Sequence, residues 1–295
     1  MNRTMVACAL TFDFDAMSVW LGSYGSRNPS MISRGEFGAI AVPRILDLLG
    51  QHGITASFFV PGHTVLAYPD LVRRILAEGH EVGHHGWVHE NPAKFDEAGG
   101  RANMDRGFQA YASVGVTPRS YRSPSWDFSE RTMGLLVEYG FSYDSSLMGA
   151  DFTPYYARVG DRFDLASPYV FGENVDVVEL PVAWVMDDFP HFEFVDNDTQ
   201  GLSAPSKVAE VWTEEFLYAA EVVPDGLVSI TMHPQVIGRG HRLRMLDRLI
   251  GTFREHGAAF TTMGAYADAW RAANPLGAWR KSGAPQAQRA CGREA

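Results

Sequence analysis

The sequence predicts an α/β fold, a distorted (β/α) barrel of about seven parallel strands with surrounding helices. Three observations carry that expectation. Strand-like and helix-like segments alternate along the chain, which implies a parallel sheet, either closed as a barrel or open and doubly wound. Polar residues repeatedly follow the strand-like runs: Asp13 and Asp15 the first, His85 and His89 the third, Arg122 a later one, and His233 the run 229–232. In a barrel all C-terminal strand ends converge on one face, whereas an open sheet gathers mainly those beside its switch point. The length of 295 residues also suits a single α/β barrel.

Taken in order, residues 6–13 are apolar and read as a buried strand. The stretch 20–36, with Gly22, Gly25, Pro29 and Gly35, reads as a long loop over the site face. Apolar residues at Ile45, Leu46, Leu48 and Leu49, followed by Gly53, predict a helix over 42–51. A strand at 55–60 precedes a helix at 69–78 that enters through Pro69. A short strand at 81–83 and a polar helix at 103–113 come next. One strand ends near Arg122, and Ser129 and Gly140 bracket a helix. Later strands are expected at 177–182, 227–232 and 258–262, with helices at 206–222, 241–256 and 265–273. Residues 1–274 are read as one domain, and 275–295, poor in apolar residues after Trp279, as a disordered tail.

Composition narrows the function. A hydrophobic share of 46% against 20% charged residues describes a soluble globular chain with ample core. A formal net charge of −10 argues against nucleic acid or an anionic membrane as partner. The N-terminal window has no basic segment followed by an uninterrupted apolar one, and no apolar run reaches the ~18 residues of a membrane helix. Cys8 and Cys291 lie far apart and suggest no disulfide framework. A cytoplasmic location is therefore expected.

The chemistry starts from two carboxylates and two imidazoles. Asp13 and Asp15 end an apolar strand, where they repel and desolvate each other unless a cation or partner satisfies them. Side chains at i and i+2 share one face of a strand, so both acids reach one site. His85 and His89 stand four residues apart in Gly83-His84-His85-Gly86-Trp87-Val88-His89. Two imidazoles and one carboxylate can hold a catalytic divalent ion with positions left for water and substrate. Each feature has a plainer reading: packed histidines, a turn-forming aspartate, and for Arg122 a surface arginine in an ordinary loop before Ser-Pro.

Thr11-Phe12-Asp13-Phe14-Asp15, the segment 81–89, Arg122-Ser123-Pro124-Ser125-Trp126 and Thr231-Met232-His233-Pro234 resemble, in order and spacing, the motifs of the polysaccharide deacetylase (NodB-homology) superfamily. The likeness extends to about Trp270. It is closest to a cytosolic subgroup of peptidoglycan deacetylase-like proteins, metal-independent allantoinases and cyclic imide hydrolases. The subgroup signs are Trp20-Leu21-Gly22-Ser23-Tyr24-Gly25, Phe59-Val60-Pro61-Gly62-His63, His89-Glu90-Asn91-Pro92 and Asp151-Phe152-Thr153-Pro154-Tyr155-Tyr156.

The resemblance implies a hydrolase of non-peptide C–N bonds. Asp15, His85 and His89 match the ligands of a divalent metal, with Zn2+ the expected ion. Asp13 matches the base, Arg122 the residue that orients it, and His233 the general acid. It also implies a homo-oligomer, a tetramer. The chain departs from extracellular deacetylases in two places: Phe14 separates aspartates that are adjacent there, and His84 replaces a small residue before His85. Trp20, Tyr24, His63, Trp87 and Trp126 are candidates to bind substrate, although barrel cores also use aromatics. Asp187 and Asp188, and the basic run of Arg239, His241, Arg242 and Arg244, are weaker candidates. The expected substrate is a small cyclic imide or ureide, with an N-acetylated sugar or glycan as the alternative. From other classes, an Fe(II) oxygenase leaves Asp13 and His233 without a role, and an inactive binding module leaves all the core positions unexplained.

Overall fold

The computed structural model describes residues 6–196, 198 and 201–281. Among these described residues nine strands form one curled sheet: β1 (Val6–Asp13), β2 (Ser57–Val60), β3 (Glu81–His84), β4 (Ser120–Tyr121), β5 (Tyr143–Asp144), β6 (Tyr155–Val159), β7 (Glu173–Glu179), β8 (Leu227–Met232) and β9 (Ala258–Phe260). Their order is β6-β7-β5-β4-β3-β2-β1-β8, with β9 beside β1. All pairings are parallel except β6 with β7.

β8 runs along one edge of β1 from Ala7 to Phe12, while the other edge is shared by β9 at Val6–Cys8 and β2 at Thr11–Asp13. Beyond β7 the chain returns to β8 through an isolated parallel bridge between Asp187 and Thr231. This is the distorted barrel expected, with eight parallel strands rather than about seven and an antiparallel β6 that the sequence reading did not place.

Helices cover the outside: α1 (Pro29–His52), α2 (Gly62–Ala67), α3 (Pro69–Ala77), α4 (Glu97–Ala112), α5 (Thr132–Glu138), α6 (Asp188–Phe192), α7 (Pro205–Val222), α8 (Pro234–Ile237), α9 (Gly240–Glu255), α10 (Met263–Ala273) and α11 (Leu276–Lys281). β1 and β8 are buried along almost their whole length because helices and barrel interior flank them on both faces. Phe12 stacks on Phe58 at 4.9 Å, and Phe216 of α7 stacks on Phe253 of α9 at 4.3 Å. Each such pair adds about 0.5–1.5 kcal/mol beyond the area it buries.

Two expectations are corrected here. The long loop expected at 20–36 is instead a π-turn at Val19–Ser23 followed by the first two turns of α1. Asn28 caps that helix, its side chain accepting from the Ser30 N–H at 3.0 Å, and Pro29 suits the first helical position. Gly35 lies inside α1 because a Cβ there would fall 2.3 Å from the Ala16 carbonyl oxygen, so the glycine permits close packing rather than a bend. The tail expected to be disordered from 275 begins with α11, whose Trp279 packs on Tyr156 and Trp270. Residues 282–295 lie outside the described residues.

Candidate metal centre and substrate cavity

Strand register brings the chemistry together. Met232 pairs with Phe12, so His233 emerges level with Asp13 at the barrel mouth. His84 pairs with Tyr121, so His85 emerges beside Arg122. Alternation on β1 sends Phe12 and Phe14 into apolar packing and leaves Asp13 and Asp15 on the mouth side. Both acids are buried, as are His85, His89, Arg122 and His233.

The ligand atoms of Asp15, His85 and His89 lie within 4.8 Å of one another. His85 Nε2 stands 3.4 Å from Asp15 Oδ1, and His89 Nε2 3.7 Å from Asp15 Oδ2. The Arg122 carbonyl lies 2.7 Å from His85 Nδ1. A carbonyl only accepts, so Nδ1 carries the proton and Nε2 turns a lone pair toward Asp15. Both Asp15 carboxylate oxygens and His85 Nε2 are buried without a hydrogen-bond partner. Lone pairs converging on one point with no donor among them fit a cation, and the mixed N/O set suits zinc or another divalent transition ion. Burial pushes the Asp15 carboxyl up, but the positive charge that His89, His85 and His233 carry when protonated pulls it down more strongly, to about 2. Burial lowers His89 to about 4, keeping it neutral as a ligand must be.

Arg122 is no surface arginine. Its Nη1 donates to Asp13 Oδ1 and Thr11 Oγ1, both at 2.8 Å. Its Nε and Nη2 donate to the Ser145 carbonyl at 3.1 Å and hydroxyl at 3.0 Å. The guanidinium also lies over the Phe59 ring at 4.2 Å, so its plane is fixed on every side.

His233 is held by a residue the sequence ranked low. Asp188 Oδ1 lies 2.7 Å from His233 Nδ1, and both its oxygens accept from the His233 backbone N–H at 3.0 and 3.1 Å. Asp187 Oδ1 stands 3.7 Å from the same Nδ1, which leaves Nε2 facing the cavity, 3.7 Å from Asp15 Oδ2. Burial disfavours the imidazolium, but Asp187, Asp188 and Asp15 together raise its pKa well above the ordinary histidine value. The signal for Asp188 was present: two adjacent acids follow an apolar strand run, as Asp13 and Asp15 do.

A cavity of about 370 Å³ opens over these groups, lined among others by Asp13, Asp15, His89, His233, Trp126 and Trp184. Trp126 and Trp184 pack ring to ring at 4.3 Å, and Phe189 lies edge-on to His233 at 5.4 Å. Tyr24 also lines it and donates to Asp198 Oδ2 at 2.8 Å.

Trp20, His63 and Trp87, expected at the substrate, are not among its lining residues. Trp20 is buried behind Tyr24, with Arg34 over its ring at 4.4 Å. His63 bonds the Ser18 hydroxyl at 3.1 Å and meets Trp87 edge-on. His84 sits in a box of Phe108, Tyr111, Tyr121 and Phe141, where burial lowers its pKa to about 3. Arg242 is buried against Phe192, and Arg239 covers Phe37.

Residues 8–143 match the polysaccharide deacetylase family profile. A protein of Helicobacter pylori named peptidoglycan deacetylase is 34% identical over 92% of this chain and 98% of its own length. A peptidoglycan deacetylase-like protein of Gibberella zeae is 29% identical over 86% of this chain and 82% of its own. Among solved structures, a candidate polysaccharide deacetylase from Mycobacterium smegmatis superposes with a TM-score of 0.80 at 33% identity, covering 92% of both chains. An allantoinase shares the fold, with a TM-score of 0.76 at 24% identity over 93% of both chains. The chain belongs to the polysaccharide deacetylase family, hydrolytic and metal-dependent enzymes acting on carbon–nitrogen bonds. Among the described residues no helix is long and apolar enough to cross a membrane.

Proposed function

We propose that this protein is a zinc-dependent hydrolase that opens the ring of a small cyclic imide or ureide. The observation that carries the choice is the cavity. At about 370 Å³, lined by Trp126, Trp184 and Phe189 beside the buried acids, it has the size and the aromatic walls that suit a flat five- or six-membered ring.

Asp15, His85 and His89 would hold the ion, which supplies Lewis-acid activation of water and of the scissile carbonyl when bound. Asp13 takes the proton of the attacking water, its carboxylate aimed by Arg122 Nη1 at 2.8 Å. As the C–N bond breaks, the nitrogen needs a proton. His233 gives it from Nε2, because Asp188 and Asp187 stabilise the imidazolium through Nδ1. Base and acid thus emerge side by side from β1 and β8, and Trp126 and Trp184 line the cavity beside them.

N-deacetylation is the second reading, and the 34% identity to the Helicobacter pylori protein named peptidoglycan deacetylase favours it. It uses the same residues on an acyclic amide. The two part in one assay of zinc-loaded protein with succinimide- and hydantoin-type rings against N-acetylglucosamine oligomers. Ring opening with no acetate release is expected. Acetate release from the oligomers without turnover of any ring would overturn the choice. The tetramer implied by the resemblance is tested by light scattering of the same sample.

A further inference from the structure

Ser23 closes the five-residue π-turn Val19–Ser23 that connects β1 to α1, and neither the base nor the acid uses it. Its hydroxyl reaches one residue twice: it donates to the His89 carbonyl at 2.9 Å and lies 2.6 Å from His89 Nδ1. A hydroxyl has one proton. With that proton on the carbonyl, the contact to Nδ1 is favourable only if Nδ1–H donates to the Ser23 oxygen. The imidazole is then held as the Nδ1–H tautomer, with the Nε2 lone pair facing Asp15 Oδ2 at 3.7 Å.

The backbone at His89 adds a second reason for this contact. His89 adopts φ +60°, a left-handed conformation that a non-glycine residue keeps only when its surroundings hold it there. The Ser23 bond to its carbonyl is one such hold. The turn itself docks tightly, since a Cβ at Gly22 would fall 1.8 Å from the Val88 carbonyl oxygen. That close approach places Ser23 against His89, and the next residue, Tyr24, lines the cavity.

We propose that Ser23 is a positioning residue for the metal ligand His89, setting its tautomer and ring orientation from the turn that also carries the cavity residue Tyr24. The inference rests on the metal-centre reading above. His85 receives the same service from the Arg122 carbonyl, so each imidazole ligand has one fixed acceptor behind it.

The test measures zinc affinity by competition with a chromogenic chelator, independently of activity. Losing such a partner weakens metal binding by roughly 10–100-fold, and Ser23→Ala should show a loss of that size. Tyr24→Phe, which breaks the bond to Asp198 in the same turn, should bind zinc as the wild type does. Equal loss in Tyr24→Phe would assign the effect to order in the turn and overturn the proposal. Equal affinity in Ser23→Ala and wild type would overturn it too, while leaving the metal centre standing. If wild-type protein takes up no divalent ion, both fall together. A measurement that needs no variant is the 15N spectrum of the zinc-loaded wild type. Zinc on Nε2 with the proton on Nδ1 is expected for His89, and the reverse assignment would overturn the proposal even if Ser23→Ala failed to fold.

Discussion

Asp144 and Glu179 form a buried acid pair outside the cavity, and replacing Asp144 by asparagine should flatten the pH dependence of stability. The two residues are register partners on β5 and β7, both fully buried. Glu179 Oε1 accepts from the N–H groups of Ser146 and Leu147, both at 2.9 Å, and Asp144 Oδ1 accepts from the Ser146 hydroxyl at 2.8 Å. The remaining oxygens, Asp144 Oδ2 and Glu179 Oε2, have no donor. Burial drives both carboxyls up, Asp144 to about 6 and Glu179 well above its ordinary range, so the pair keeps a proton near neutrality.

Because the folded values are raised, the folded chain holds protons the unfolded chain has released. The contribution is fully present below the unfolded value of 3.8 and is lost as pH rises through about 6. A shift of about two units, at about 1.4 kcal/mol per unit, gives roughly 3 kcal/mol lost across that window. In Asp144→Asn the new side chain keeps the Oδ1 acceptor and offers an amide donor to Glu179, so the variant should lose much less. The assay is urea unfolding of chelator-stripped wild type and Asp144→Asn at pH 4 and pH 7.5. His233 and Asp187, also raised, contribute alike to both proteins and cancel in the difference. Parallel stability curves for the two proteins would refute the reasoning.

Three further outcomes concern the site. His85→Ala or His89→Ala should each release the ion and abolish hydrolysis, since a three-ligand site has little redundancy; undiminished zinc stoichiometry in both would place the ion elsewhere. Asp13→Asn should retain zinc while kcat falls by roughly 10²–10⁴, because the amide keeps the shape but takes no proton. Metal loss instead would make Asp13 a ligand. Asp188→Asn removes the anion behind His233 Nδ1, so the imidazolium releases its proton at lower pH. The alkaline limb of the kcat profile should shift to lower pH in that variant, and an unmoved limb would deny His233 the acid role.

Legibility of the fold tracked element length. β1 and β8 were plain because parallel strands covered on both faces leave mostly apolar segments, here eight and six residues long. β4 and β5 have two residues each, too few for any periodicity to register, and β6 is an antiparallel addition that the alternating pattern does not announce. The start of α1 was misread because Pro29 and Gly35 look like loop residues, whereas Pro29 takes the first helical position and Gly35 lets the helix lie close against Ala16. Trp20 was misplaced for a related reason: sequence proximity to the site does not say which way a side chain turns, and this one turns into packing beneath Arg34. Ser23 gave no signal of its contact with His89, since a serine in a glycine-rich stretch has the composition of any turn.

The acid residues of the site were legible as types before their roles were. Burial alone pushes any carboxyl toward neutrality, so carboxylates at the mouth of this barrel would tend to become interchangeable protonated acids. Their partners separate them. Asp13 lies against a guanidinium fixed by four polar contacts, Asp15 faces the Nε2 atoms of His85, His89 and His233, and Asp188 is bonded to both the backbone N–H and Nδ1 of His233. On the proposed reading, the cavity then holds a proton acceptor, Asp13, and a proton donor, His233, on neighbouring strands. Arg122 and Asp188 do not line the cavity, and in the proposed mechanism they would act through Asp13 and His233. An amide or imide needs water deprotonated and nitrogen protonated in the same turnover, and in the proposed mechanism Asp13 and His233 would serve those two transfers.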